Sequence, residues 1–163
     1  MKPFQRKRYL NKLINAMGTS DVKIITGARR SGKSKLLESF KSYVIESIQN
    51  ANIVYINFSR PDFYKLMEYR SLYDYVNSAY KDGVDNFVLV DDIQMCYKFE
   101  RAINNLQALE KFDIYITGSS AFLSNRKLAK LFTGKTFEIK VYPLSFIEYV
   151  EYTIWLLRDL YSF

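Results

Sequence analysis

Apolar positions along the chain alternate between two periods. Tyr9, Leu10, Leu13, Ile14 and Met17 fall on one side of a helix over residues 4–17. The β-branched Val22, Ile24 and Ile25 then predict a strand from Asp21 to Thr26, with a glycine after it. Leu37, Phe40, Val44 and Ile48 share one face of a helix from Ser34 to about residue 48. Ile53 to Phe58 reads as a second strand, and the tyrosine-rich stretch from Pro61 to Tyr80 as helical. Phe87 to Val90 is a continuous apolar run, the mark of a parallel strand buried on both faces, and Asp91 and Asp92 follow it. Phe99, Ile103, Leu106 and Leu109 form a helical stripe; Asp113–Thr117 is a fourth strand, Ala121–Leu131 a helix and Thr136–Tyr142 a fifth strand. Alternating strands and helices imply an α/β fold with a parallel sheet covered on both faces and right-handed crossovers. After Pro143 the chain predicts one more helix, apolar on more than one face. Residues 1–145 thus form the expected core. Residues 146–163 read as an interface element or the start of a further region.

Composition narrows the chemistry. A chain of 163 residues suits one domain that buries about 70% of the surface its unfolded form exposes. With 48% hydrophobic and 25% charged residues it has the balance of a folded protein, not a disordered one. No stretch approaches the ~18 uncharged apolar residues of a membrane span. Residues 1–8 lack the apolar core of a signal peptide. Cys96 is the sole cysteine, so no internal disulfide forms and a cytoplasmic location is expected. The absence of histidine removes Ser-His-Asp and Cys-His hydrolases and His-ligated zinc. The net charge of +7 would attract an anionic partner such as a nucleotide, a nucleic acid or a lipid surface. The lysines are scattered, however, and no nucleic-acid-binding motif is present.

The residues that carry chemistry lie at strand ends. Gly27-Ala28-Arg29-Arg30-Ser31-Gly32-Lys33-Ser34 fits G-x-x-x-x-G-K-[ST] between a predicted strand and a predicted helix. Glycines let backbone amides close around phosphate oxygens, and the helix N-terminus adds partial positive charge. Lys33 is placed to reach the β and γ phosphates of a bound nucleotide, and the Ser34 hydroxyl to ligate Mg²⁺. Lys35 continues the loop, while Arg29 and Arg30 either touch phosphate or are solvated loop charges. Asp91, after the buried run, is the candidate Mg²⁺ acid, and Asp92 the candidate for orienting the attacking water. Two adjacent carboxylates repel, which a nearby dication would relieve. Thr117-Gly118-Ser119-Ser120 ends the fourth strand, where hydroxyls either meet the γ-phosphate or cap the next helix.

At these residues the chain resembles the P-loop ATPases of the AAA-like class. In particular it is similar to a prokaryotic family of AAA-type ATP-binding proteins in which a C-terminal domain of unclear role follows the ATPase domain. The resemblance is carried by Ile24–Ser34, Val90–Gln94, Ile114–Ser120 and Val141–Phe146, in the family's order. It implies a five-stranded P-loop NTPase sheet in the order 5-1-4-3-2, with Asp91 as the Walker B acid and Gln94 a polar residue of the same motif. Three departures bear on hydrolysis. Asp92 stands where the family has glutamate, Ser120 stands at the usual asparagine sensor, and Lys135 lies where an arginine commonly precedes the fifth strand. The expected function is an ATP-binding domain, a slow Mg²⁺-dependent ATPase that couples nucleotide state to an unknown protein partner. The alternative is a degenerate, hydrolysis-poor switch or assembly module, and a homo-oligomer is compatible with either. A kinase would need a lid that the sequence does not offer, and a GTPase an Asn-Lys-x-Asp reader that is absent.

Overall fold

The structure is a computed structural model that describes residues 4–123 and 130–161. Its elements in chain order are α1 (Lys7–Asn15), β1 (Val22–Gly27), α2 (Lys33–Ser47), β2 (Asn52–Asn57), a 3₁₀ turn (Pro61–Leu66), α3 (Tyr69–Ser78), β3 (Asn86–Asp91), a second 3₁₀ turn (Ile93–Met95), α4 (Phe99–Ala108), β4 (Asp113–Ser119), β5 (Thr136–Val141) and α5 (Phe146–Tyr161). The helix expected over Ala121–Leu131 lies largely outside the described residues.

The five strands form one parallel sheet in the order β2-β3-β4-β1-β5, which is the expected order read from its other edge. All six residues of β1 and of β3 are buried, as continuous apolar runs in a parallel sheet require. The period of two sends successive side chains to opposite faces. Ile24, Val88, Val90, Ile114 and Ile116 pack with Leu72 and Val76 of α3 and Ala102, Ile103 and Leu106 of α4. Ile25, Leu89, Tyr115 and Ile139 pack on the other face with Leu13 of α1 and Leu37, Phe40 and Val44 of α2. A buried charge also lies within the sheet. Lys23 has no exposed surface, and its ammonium donates to Asp113 at 2.6 Å and to the Thr19 carbonyl at 2.9 Å. Breaking one partner of such a pair strands the other in apolar surroundings, at about 3–5 kcal/mol.

Two expectations are corrected. The stretch Pro61–Tyr80 is not one helix. It is interrupted at Met67 and Glu68, where Glu68 forms a parallel bridge with Tyr97, and the Tyr97 amide donates to the Met67 carbonyl at 2.8 Å. The partner is a loop after β3, so no local periodicity could reveal it. α1 starts at Lys7 and not at residue 4, because Arg6 adopts a non-helical backbone. Phe4 instead turns away to meet Tyr152 and Trp155 of α5, with ring centroids 5.4 and 6.1 Å apart.

Candidate functional site

The register brings three strand ends to one edge of the sheet. Ile25 of β1 lies beside Thr117 of β4, and Gly27 beside Ser119; Val90, which precedes Asp91, lies beside Ile116. In open α/β sheets ligands bind at this carboxyl edge. The Gly27–Ser34 loop leaves β1 here and enters α2 at Lys33. Gly27 cannot carry a side chain: a Cβ would run into the Val141 carbonyl and lie 2.6 Å from the Ser31 hydroxyl. Gly32 caps α2 with φ +97°, a left-handed conformation that favours glycine, and no side chain caps the first turn. The turn's amides therefore face the loop's concavity uncapped, where an anion is favoured. The Ser31 hydroxyl is buried without a hydrogen-bond partner. A buried orphan of this kind fits a ligand that completes it.

Lys33 is buried, and its ammonium donates to the carbonyls of Ala28 at 2.8 Å and Gly27 at 3.0 Å. Burial pulls its pKa below the ordinary lysine value, partly opposed by the negative charges of Asp92 and Asp91. Asp91 is 1% exposed. Burial pushes its carboxyl above the usual range, while hydrogen bonds from Thr117 and Ser34 pull it back. Thr117 connects the acidic pair: its hydroxyl donates to Asp91 and accepts the Asp92 amide at 3.0 Å. Asp92 sits at φ +57°, the left-handed region that aspartate tolerates better than most residues. Its carboxylate accepts from Ser59 at 3.0 Å and from the Gln94 amide nitrogen at 3.4 Å. The Gln94 carbonyl oxygen is buried and unpaired. The Ser34 hydroxyl and the Asp91 carboxylate, which are hydrogen-bonded to each other, are oxygen donors of the kind that a hard dication takes.

The structure thus groups Gly27, Ser31, Gly32, Lys33, Ser34, Asp91 and Asp92. The other expected residues lie on the outside of the loop, beside it or away from it. Ala28, Arg29 and Arg30 are exposed on the loop, with Arg30 at φ +65°. Lys35 is turned outward to Glu38, 3.0 Å away. Ser120 joins the loop through its backbone, whose amide donates to the Gly27 carbonyl at 3.2 Å. Lys135 precedes β5 at the amino edge of the sheet, where its carbonyl accepts from Val22. It is therefore about 20 Å of strand away from this chain's own loop.

Two residues, Ser59 and Arg6, join the site without having been singled out in the sequence, and Thr117 is the one that meets the acids among the hydroxyls expected at the end of β4. Thr117 is the nearer polar residue of β4, and Ser59 reaches Asp92 from beyond β2. Arg6 donates from Nη1 to the Ser31 carbonyl at 2.9 Å, and from Nε and Nη2 to Glu148 of α5 at 2.9 and 3.0 Å. Glu148 in turn accepts the Ser145 amide at 2.8 Å, while its own amide donates to the Ser145 hydroxyl at 3.2 Å. That reciprocal pair is a capping box, and Ser145-x-x-Glu148 was its local signal. The Arg6 hydrogen bonds, with lesser help from Ser145, hold the Glu148 carboxyl down at about 2. A depressed carboxylate pKa adds stability that is present above the unfolded value and lost as pH falls through the folded one. Acid titration from about pH 4.5 towards 2 should therefore loosen α5. Trp155 emission is the measurement, and Glu148→Gln should flatten it over that window. An unchanged acid transition in that variant would contradict the assignment.

The sheet order and the strand–loop–helix cradle define a P-loop NTPase fold. An AAA domain family model matches residues 19–150, and the chain belongs to that family. An uncharacterized protein of Haemophilus influenzae is 35% identical over 147 residues, covering 89% of this chain and 37% of the relative. An uncharacterized protein of Methanocaldococcus jannaschii is 25% identical over 145 residues, covering 86% and 31%. The chain thus spans about a third of the length of these relatives. Among solved structures, domain III of the Thermotoga maritima replication initiation protein DnaA matches at TM-score 0.60 with 20% identity, covering 98% of this chain and 71% of that one. AMPPCP-bound DnaA from Aquifex aeolicus matches at 0.60 with 17% identity, covering 98% and 52%. These distant structures share the fold. No described helix is long and apolar enough to cross a membrane.

Proposed function

We propose that this chain binds Mg-ATP through Gly27–Ser34 and hydrolyses it slowly, coupling nucleotide state to a protein partner. The observation that carries the reading is the convergence of Lys33, Ser34, Asp91 and Asp92 at one sheet edge, beneath a loop whose Ser31 hydroxyl is buried and unpaired. The AMPPCP-bound DnaA relative of the fold supports a triphosphate as ligand. Ser34 and Asp91 would hold Mg²⁺, which would supply charge neutralisation for the phosphates. Lys33 leaves the Gly27 and Ala28 carbonyls to meet phosphate oxygens. Thr117 fixes Asp91 as an acceptor by donating to it. Asp92 holds and polarises the attacking water, with the free Gln94 carbonyl as a second acceptor. A cavity of about 880 Å³ lies between residues 4–9 and the start of α5, and Arg6 in its lining reaches the loop at the Ser31 carbonyl.

Calorimetry with ATP and GTP, together with phosphate release, tests the proposal. Micromolar ATP binding with slow release supports it, and no triphosphate binding defeats it. The hydrolysis-poor switch has its own support, since the Ser59 hydroxyl ties up the Asp92 carboxylate. Binding without release would favour that reading.

α5 supplies the surface for a partner or a second copy. None of its described residues is buried, and Phe146, Leu160 and Tyr161 are 83%, 65% and 71% exposed. Apolar patches of this kind mark association. The isolated chain should self-associate, and Leu157→Glu with Leu160→Glu should lower its sedimentation mass without moving the melting temperature. A monomeric wild type at about 50 μM, well above the affinity range of a functional contact, would count against the interface.

A further inference from the structure

We propose that Arg6 and Glu148 form a strut that makes the phosphate loop and α5 one coupled unit, so that nucleotide on the loop changes how α5 is seated. The inference rests on the reading that the loop binds ATP. No described residue of α5 is buried, and the helix meets the body through the Phe4 ring against Tyr152 and Trp155 and through the ion pair between Arg6 and Glu148. The guanidinium is planar, and each of its three nitrogens donates a hydrogen bond. Nε and Nη2 hold the two Glu148 oxygens while Nη1 holds the Ser31 carbonyl. A planar fork cannot follow one partner without tilting against the others. Its face lies 4.5 Å over the Tyr9 ring, and the Tyr9 hydroxyl accepts the Tyr142 amide at 3.2 Å, so the pivot is itself anchored to the sheet's end.

The loop end of the strut must move when phosphate arrives. The Ala28 carbonyl now takes both the Lys33 ammonium at 2.8 Å and the Ser31 amide at 3.2 Å. A phosphate cradle needs both donors turned to the anion. Releasing them re-aims the peptide units on either side of Ser31, including the carbonyl that Arg6 holds. The helix end of the strut is equally committed, because Glu148 closes the capping box with Ser145 at the start of α5. A displacement at Ser31 thus reaches the first turn of α5 through three hydrogen bonds. The cavity between residues 4–9 and the start of α5 leaves room for the helix to shift.

Trp155, the only tryptophan, reports α5 directly. In the full chain its emission should change on titration with Mg-ATP and saturate at the calorimetric Kd. Glu148→Gln should remove most of that signal and, because coupling is reciprocal, weaken ATP binding about fivefold or more. Arg6→Ala should do the same, while Arg158→Gln, on the same helix but away from the cavity, should leave signal and affinity unchanged. A signal undiminished in Glu148→Gln, or an ATP affinity unmoved by both strut variants, overturns the coupling. Should those variants fail to fold, amide hydrogen exchange over residues 146–161 of the wild type decides, since identical protection with and without ATP also overturns it. A chain that binds no ATP defeats the functional reading and the strut with it. Calorimetric binding with a silent Trp155 and unchanged exchange defeats the strut alone.

Discussion

Lys33→Ala is expected to lower ATP affinity tenfold or more. The lysine is the one cation buried among the loop carbonyls and the acidic pair, and burial has already stripped water from its ammonium. A charge-assisted contact made from that position is worth about 1.5–3 kcal/mol, hence roughly 10- to 150-fold in affinity. The variant also removes a positive charge that acts on Asp91 and Asp92, which raises the cost of bringing a polyanion to the same edge. The pKa of Lys33 is lowered in the free protein, so it loses its proton at a lower pH than an ordinary lysine. Affinity in the wild type should accordingly start to fall on the alkaline side earlier than an unperturbed amine would dictate, and the variant should lack that limb. Calorimetry across alkaline pH measures both effects. Equal affinities for the two proteins would remove the loop from the binding site.

The phosphate loop was legible because its chemistry is local. Glycines, lysine and serine must follow one another for backbone amides to surround an anion, so the spacing survives as a string. The parallel sheet was legible for a similar reason, since β1 and β3 must be apolar on both faces and read as continuous runs. What stayed hidden depends on residues far apart in the chain. Arg6 and Glu148 are separated by 142 residues, and only their shared position beside Ser31 makes them a unit. Ser59 reaches Asp92 across 33 residues because β2 and β3 are neighbours and end together. At the end of β4, sequence could place a hydroxyl near the acids but not choose among three. The register chose Thr117, two residues before Ser119 pairs with Gly27. Lys135 shows the reverse case. Its position just before β5 is plain in sequence, but only parallel pairing with Val22 tells that this is the edge remote from the loop.

Asp92→Glu is expected to raise the rate of phosphate release at saturating Mg-ATP, by up to about 100-fold, with little change in affinity. The argument starts from the backbone. Asp92 is held at φ +57°, and its amide donates to the Thr117 hydroxyl, so the main chain cannot carry the carboxylate forward. The side chain is drawn back too, with Ser59 at 3.0 Å and Gln94 at 3.4 Å. A short acid restrained at both ends stops short of the position from which it would hold a water in line. A misplacement of about 1 Å costs on the order of 100-fold, and one further methylene spans that gap. Ser59→Ala should recover part of the same gain in the wild-type background by freeing the carboxylate. Asp92→Asn, which cannot accept a proton, should fall below the wild type. Single-turnover phosphate release on all four proteins, at matched ATP occupancy, separates geometry from binding. If Asp92→Glu releases phosphate no faster than the wild type while binding ATP equally well, reach is not the limitation. The hydrolysis-poor switch then becomes the better description of this site.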